Sequence, residues 1–159
     1  MWSALLLLLT ACLGSGDDER LVMQPFEGRM MTVRANRTMG EIVSSRTAAD
    51  GRATTVLLTA NLGSQPGVSE PSAAVFAVKL EIDCEEGSSR VARQQIYGRD
   101  GTLKGSVDLD NQFAANEDLT GLISDLCEGS AEPAEGIGFE TLEEYWALVQ
   151  REVRGSRPR

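Results

Sequence analysis

The sequence predicts an α+β domain, in which an antiparallel sheet of about five or six strands precedes two C-terminal helices. Two observations lead to this prediction. Between about residues 30 and 109, short β-prone runs alternate with turn residues, which is typical of antiparallel strands joined by hairpins. After Asn116, apolar residues recur at helical spacing, which is typical of helices that pack on a core.

The strand signals come in neighbouring runs. Residues 41–47 and 54–60 flank Asp50-Gly51, a dipeptide that favours a tight hairpin because Gly tolerates a positive φ. A loop is expected over 63–73. Residues 75–84 then alternate, and the apolar face consists of Phe76, Val78, Leu80, Ile82 and Cys84. Residues 89–97 and 102–109 continue the sheet as a meander after short turns.

Two helices follow the strands. Asn116 is the expected N-cap of the first, and Gly129 is placed to end it. One face of this helix consists of Leu119, Leu122, Ile123 and Leu126, with Cys127 at its edge. A capping box from Thr141 to Glu144 predicts a second helix over 141–153. Its Tyr145 and Trp146 are either a candidate partner surface or a face packed on the sheet or the first helix.

The chain opens with an apolar run, Trp2 to Leu9, that leads through Thr10 and Ala11 into Cys12. This order is typical of a bacterial lipobox, in which the signal peptide is cut before a cysteine that then carries the lipid. The alternative is an apolar N-terminal strand with a free Cys12. Only the amino terminus supplies positive charge, so the signal is either minimal or begins upstream of Met1.

The predicted organisation has four parts. Residues 1–11 are the signal peptide, and 12–28 are the lipidated cysteine and a flexible tether. Residues 29–128 form the sheet-plus-helix domain, and 129–159 contain a linker, the second helix and an arginine-rich tail. The tail, 151–159, is either a solvated end or a contact for anionic lipid or an acidic partner.

Net charge limits the choice of partners. The chain carries a formal net charge of -9 and has a pI near 4.5. Such a chain is repelled by phosphate backbones, so we expect no nucleic-acid partner. Attachment to a membrane should come from the lipid on Cys12 rather than from a basic patch. The remaining partner class is an extracellular or envelope protein.

The other two cysteines lie where they could meet. Cys84 ends a strand on its buried face, and Cys127 ends a helix on its apolar side. In an oxidising compartment the two would form a disulfide, and the alternative is two independent buried thiols. Three cysteines without histidine or a C-x-x-C spacing do not form a zinc site, so we expect no metal or cofactor.

These features together resemble the surface-adhesin protein E-like family of bacterial lipoproteins. The resemblance covers about residues 30–128 and rests on the stretch KLEIDC at 79–84, a Gly/Ser turn with Arg90, Ile96-Tyr97-x-x-Asp100-Gly101, and a helix ending at Cys127. Phe113 stands near the position of a family tryptophan. The resemblance implies a helix tied to the concave face of the sheet by a disulfide, and an adhesin-like role, since some members bind extracellular-matrix proteins of the host.

Enzyme chemistry finds little support in the sequence. Absence of histidine excludes Ser-His and Cys-His nucleophiles. The carboxylate pairs Asp83/Glu85 and Asp108/Asp110 are either acid–base groups or solvated turn residues. We therefore expect a non-enzymatic, lipid-anchored envelope protein, with the outer membrane favoured. The alternatives are a periplasm-facing structural or inhibitor lipoprotein and a small hydrolase.

Overall fold

A computed structural model describes residues 19–33, 37–61, 74–129 and 136–155 of the chain. Within these residues, seven antiparallel strands form one sheet, and the two helices lie before and after the seventh strand. The strands are β1 (Gly28–Val33), β2 (Arg37–Ala49), β3 (Arg52–Asn61), β4 (Ala74–Asp83), β5 (Ser88–Gly98), β6 (Leu103–Asp108) and β7 (Gly138–Phe139). The helices are α1 (Thr120–Cys127), preceded by a 3-10 turn over Glu117–Leu119, and α2 (Leu142–Gly155).

The strand order across the sheet is β6-β5-β4-β3-β2-β1-β7. Strands β1 to β6 therefore form a continuous meander, as the hairpin signals predict, and β7 adds to β1 from the far end of the chain. The sheet has seven strands, so the predicted number of five or six is wrong. The additional strand, β7, has only two residues, which is too short for any alternation to show in the sequence.

The β2–β3 turn has the predicted geometry. Ala49 pairs with Arg52, and the two residues between them, Asp50 and Gly51, have φ values of +53° and +74°. A two-residue turn with both φ values positive matches the right-handed twist of the strands that it joins. Asp50-Gly51 therefore fixes the register of the central hairpin.

Both faces of the sheet are buried, and neighbouring residues of β3 belong to different clusters. Leu58 lies in a cluster with side chains of α2, whereas Leu57 lies in a cluster with side chains of α1. Successive side chains of a strand point to opposite faces, so the two helices cover opposite faces of the sheet. This explains why β3 is apolar in successive positions rather than in alternating ones.

A disulfide joins the end of β4 to the end of α1. Cys84 follows the last residue of β4, and Cys127 is the last residue of α1. Their Sγ atoms are 2.07 Å apart and their Cα atoms 5.5 Å apart. The predicted pairing of Cys84 with Cys127 is confirmed.

The N-terminal part of the domain differs from the prediction. A flexible tether was expected over 12–28, but in residues 19–28 Val22 and Phe26 are buried in the α2-side cluster. These two apolar side chains give the segment enough contact with the core to order it. The buried cluster therefore includes side chains from before residue 29 and from α2, which lies in the predicted segment 129–159. The predicted signal peptide and Cys12 lie outside the described residues.

Loss of the disulfide should destabilise the domain substantially. The bond closes a loop with a sequence separation of 43 residues, for which the chain-entropy model gives about 4 kcal/mol. We expect the double variant Cys84→Ala/Cys127→Ala to lose about this much free energy of unfolding in urea titrations. Wild-type protein treated with a thiol reductant should show a matching loss. An unchanged unfolding midpoint in both samples would contradict a stabilising role.

Candidate functional site

A groove of about 1100 Å³ opens at the edge of the sheet formed by β1 and β7. Its walls come from the segment before β1, from the β7 region and from the part of β2 that extends past β1. The apolar part of the lining consists of Pro25, Phe26, Val43 and Phe139. The groove thus combines residues that are more than 100 positions apart in the sequence.

Close packing of backbone and aromatic rings positions the apolar walls. Phe26 N–H donates to the Glu140 carbonyl at 3.0 Å, and the Phe26 and Phe139 rings meet edge to face with centroids 5.7 Å apart. A Cβ atom on Gly28 would lie 2.4 Å from the Phe139 ring, so β1 approaches this ring only because residue 28 is glycine. The ring therefore lies directly on the β1 backbone.

The rim of the groove is acidic. Glu27, Glu140 and Glu144 line it, and all three are exposed. Glu144 also caps α2: its N–H donates to Thr141 Oγ1 at 3.2 Å, as the capping box predicts, and its Oε2 accepts from Glu140 N–H at 2.7 Å. The second hydrogen bond holds the Glu144 carboxylate against the backbone of Glu140 at the mouth of the groove.

A buried cluster of charges adjoins the groove. The Glu41 carboxylate is fully buried and accepts hydrogen bonds from Arg29 Nε at 3.0 Å, from Arg46 Nε at 2.7 Å and from Thr55 Oγ1 at 3.0 Å. Arg29 also lines the groove. The cluster links β1, β2 and β3 beneath the wall of the groove, because its members come from all three strands.

The charge state of Glu41 follows from its surroundings. Burial alone would raise the pKa of the Glu41 carboxyl, but hydrogen bonds and charge from Arg46, with hydrogen bonds from Arg29 and Thr55, outweigh this effect. The pKa is therefore lowered from its ordinary value. A carboxylate held in its ionised form serves as an anchor for the arginines rather than as a proton donor.

One member of each carboxylate pair that the sequence offers makes contacts within the domain. Asp83 Oδ1 accepts from the N–H groups of Glu85 and Glu86, and its other oxygen lies 3.1 Å from Arg52. Asp108 pairs with Arg93. Within the described residues, no group of three or more His, Cys, Asp or Glu side chains could hold a metal ion. None of the helices that the structure describes is long and apolar enough to span a membrane.

Tyr145 and Trp146 do not form an exposed surface. Their exposed fractions are 0% and 4%, and the Tyr145 hydroxyl donates to the Leu58 carbonyl at 2.9 Å. The prediction of a partner surface at these residues is therefore wrong, and the alternative, packing on the sheet, is correct. Helical periodicity identified the apolar face of α2, but it could not show that β3 and β4 lie opposite that face.

Sequence reasoning missed both the charge cluster and the groove. A signal for the cluster was present, since Glu41 is a charged residue inside a β-prone run. Arg29 lies 12 positions away and meets Glu41 through the pairing of β1 with β2. Arg46 lies 5 positions away on β2 itself, where the pairing of β2 with β3 shifts register between Ile42 and Thr47. The groove had no local signal, because it forms where β7 joins β1.

No protein-family model, curated protein or solved structure matches this chain. The resemblance to the surface-adhesin protein E-like family therefore rests on the sequence motifs alone.

Protonation or removal of Glu41 should destabilise the domain. The folded-state pKa is lowered, so the stabilisation is fully present above the unfolded-state pKa of about 4.3 and is lost as the pH falls through the folded-state value. At pH 7 we expect Glu41→Gln to cost about 3–5 kcal/mol, because the buried Arg29 guanidinium and the half-buried Arg46 guanidinium lose their counter-ion. Urea titrations between pH 7 and pH 3 measure both effects.

The matched control for Glu41→Gln is Glu85→Gln, which changes an exposed glutamate in the β4–β5 turn. This control should keep wild-type stability and the wild-type dependence on pH. If Glu41→Gln is too unstable to fold, Thr55→Val removes one hydrogen bond and should cost about 1 kcal/mol. Equal stability of wild type, Glu41→Gln and Thr55→Val would contradict the assigned role.

Proposed function

We propose that this protein is a lipid-anchored module of the bacterial cell envelope that binds another macromolecule through the groove at the β1–β7 edge. The pairing of the other two cysteines is the observation that supports a lipid anchor at Cys12. Cys84 and Cys127 are joined to each other, so Cys12 is the one cysteine left for another use. It follows Leu9-Thr10-Ala11 directly, which is the residue pattern of a lipobox.

The disulfide also supports an extracytoplasmic location. Disulfides form and persist in oxidising compartments such as the bacterial periplasm and cell surfaces. The α1 helix that carries Cys127 has only eight residues, and an isolated helix of this length is unstable in water. The covalent link to β4 can therefore stabilise α1 only in a compartment where the disulfide stays oxidised.

Groove shape and charge favour a macromolecular partner. Aromatic and aliphatic walls bind apolar side chains, and the rim carboxylates of Glu27, Glu140 and Glu144 attract positive ones. In the described residues, the edge of β2 that faces β1 pairs with no strand past Ile42. One further backbone hydrogen bond on this edge joins Ser44 N–H to the Glu27 carbonyl at 3.3 Å. An extended segment with basic side chains fits both features, since it could lie along the strand edge.

The resemblance to the surface-adhesin protein E-like family agrees with this proposal. Members of that family are lipoproteins, and some bind extracellular-matrix proteins. A non-enzymatic role also agrees with Glu41, the buried carboxylate next to the groove, because its oxygens already accept hydrogen bonds from Arg29, Arg46 and Thr55. The proposed activity is therefore adhesion or envelope binding rather than catalysis.

Lipidation is testable by metabolic labelling in a bacterial host. Cells that express the wild-type protein and are fed a radioactive fatty acid should yield a labelled band, whereas Cys12→Ala should yield none. A matched control is Thr10→Ser, which keeps a small residue before the cysteine and should remain labelled. Equal labelling of wild type and Cys12→Ala would overturn the proposed anchor.

The groove is testable by reversing its charge. We expect Glu27→Lys/Glu140→Lys to lower the yield of a crosslinked envelope partner several-fold, because the rim would then repel basic side chains. The control, Glu86→Lys/Asp110→Lys, makes the same change in net charge at exposed positions outside the groove. Equal losses in the two variants would indicate an effect of net charge alone and would contradict the groove as the binding site.

A further inference from the structure

Strand β6 is an edge of the sheet, and in the described residues its outer side pairs with no other strand. Leu109 N–H donates to the Ala92 carbonyl at 2.9 Å, so the backbone of residue 109 faces β5. Successive residues of an antiparallel strand direct their backbone groups to opposite sides. The N–H and C=O groups of Ser106 and Asp108 therefore face away from β5, and both residues are exposed. An open edge of this kind is a template for pairing with another chain.

Apolar side chains lie next to these open backbone groups. Val107 is 51% exposed, which few large apolar side chains in the described part of the chain are. Leu109 is half-buried and lies two residues further along, so its side chain points to the same face of the sheet as that of Val107. In a single copy of the chain, this edge therefore leaves apolar surface in contact with water.

Gly105 leaves a gap in the apolar surface beside Val107. Phe76 pairs with Ile96, and Ile96 pairs with Gly105, so the three positions form one row on the same face of the sheet. Phe76 and Ile96 are half-buried. A Cβ atom on Gly105 would meet no atom of the described residues within 4 Å, apart from those of its neighbours in the chain. The row thus ends in an open space that an apolar side chain from another chain can fill.

We propose that two copies of this chain pair through their β6 edges, antiparallel and centred on Val107, so that the two sheets become one. In this register Val107 of one copy lies directly opposite Val107 of the second copy, as a non-hydrogen-bonded pair. Ser106 of each copy lies opposite Asp108 of the other, and their outward N–H and C=O groups bond each other. Leu109 of each copy lies opposite Gly105 of the other and fills the open space above it.

The charges along this edge suit a second copy of the same chain. Lys104, which has no partner at the register shift between β5 and β6, and Asp110 are both exposed and lie at opposite ends of the stretch. Antiparallel pairing centred on Val107 brings Lys104 of one copy next to Asp110 of the other, so opposite charges meet at both ends. Registers centred on Lys104 or Asp108 would place like charges opposite each other. The two-fold arrangement covers both edges at once, so the assembly closes at two copies.

The dimer leaves the groove at the β1–β7 edge free, because none of the residues that line the groove belongs to β6. Each dimer would carry two grooves, and a partner with repeated binding segments would bind both with increased avidity. This consequence depends on the proposed function, whereas the pairing of β6 does not.

Cysteine crosslinking tests both the pairing and its register. The full-length protein with Val107→Cys is expressed in a bacterial host, the cells are oxidised with copper phenanthroline, and a non-reducing gel separates monomer from dimer. Opposed residues of a non-hydrogen-bonded pair have Cα atoms about 4.5 Å apart, which suits a disulfide. We expect several-fold more dimer from Val107→Cys than from the wild type, which reports any background from the native cysteines.

Ser106→Cys is the matched control for the register. In the proposed arrangement the two copies of residue 106 lie two residues out of line, with Cα atoms about 8 Å apart, which is too far for a disulfide. This variant should therefore give no more dimer than the wild type. More dimer from Ser106→Cys than from Val107→Cys would overturn the register. Equal yields from Val107→Cys and the wild type would overturn the pairing.

The mass of the purified full-length protein in detergent, measured by analytical ultracentrifugation, gives a second readout. The wild type should sediment as a dimer, whereas Val107→Asp should be a monomer, because two carboxylates would face each other across the two-fold axis. Ile137→Asp makes the same change at another exposed apolar position, which is 59% exposed, and should remain a dimer. A monomeric wild type, or equal masses for the wild type and Val107→Asp, would contradict the proposal.

Discussion

The bond between Cys84 and Cys127 is the constraint on which the rest of the structure depends. It ties the end of β4, in the middle of the sheet, to the end of an eight-residue helix that could not persist alone. The side chains of that helix then join Leu57, Leu80 and Ile82 in one buried cluster. With side chains of α2 in the cluster on the opposite face, the central strands are enclosed on both sides.

The two edges of the sheet differ in a way that suits an anchored binding protein. At one end, the buried Gln95–Tyr97 pair holds the N-terminal segment against β5. At the other, the Glu41 charge cluster joins β1, β2 and β3 beside an acidic groove. Each arrangement satisfies buried polar groups that would be costly if left unpaired, so both edges have a defined shape rather than a loose one.

Much of the fold could be predicted from the sequence, because its main signals are local. Alternation in 75–84 corresponds to β4, Asp50-Gly51 forms the predicted turn, and the capping box begins α2. The candidate site could not be predicted, because it depends on register between distant strands. Arg29 meets Glu41 only through pairing of β1 with β2. Likewise, Val22 and Phe26 are both buried, but the segment that contains them is too short for its apolar residues to show a periodic spacing.

The central claim is the division of the three cysteines, with Cys12 free for lipid and the other two joined. Peptide mapping of the mature protein by mass spectrometry, without reduction, tests it most directly. We expect a crosslinked peptide pair that contains Cys84 and Cys127, together with an N-terminal peptide that begins at a lipid-modified Cys12. A peptide that links Cys12 to either of the other two cysteines would contradict this division.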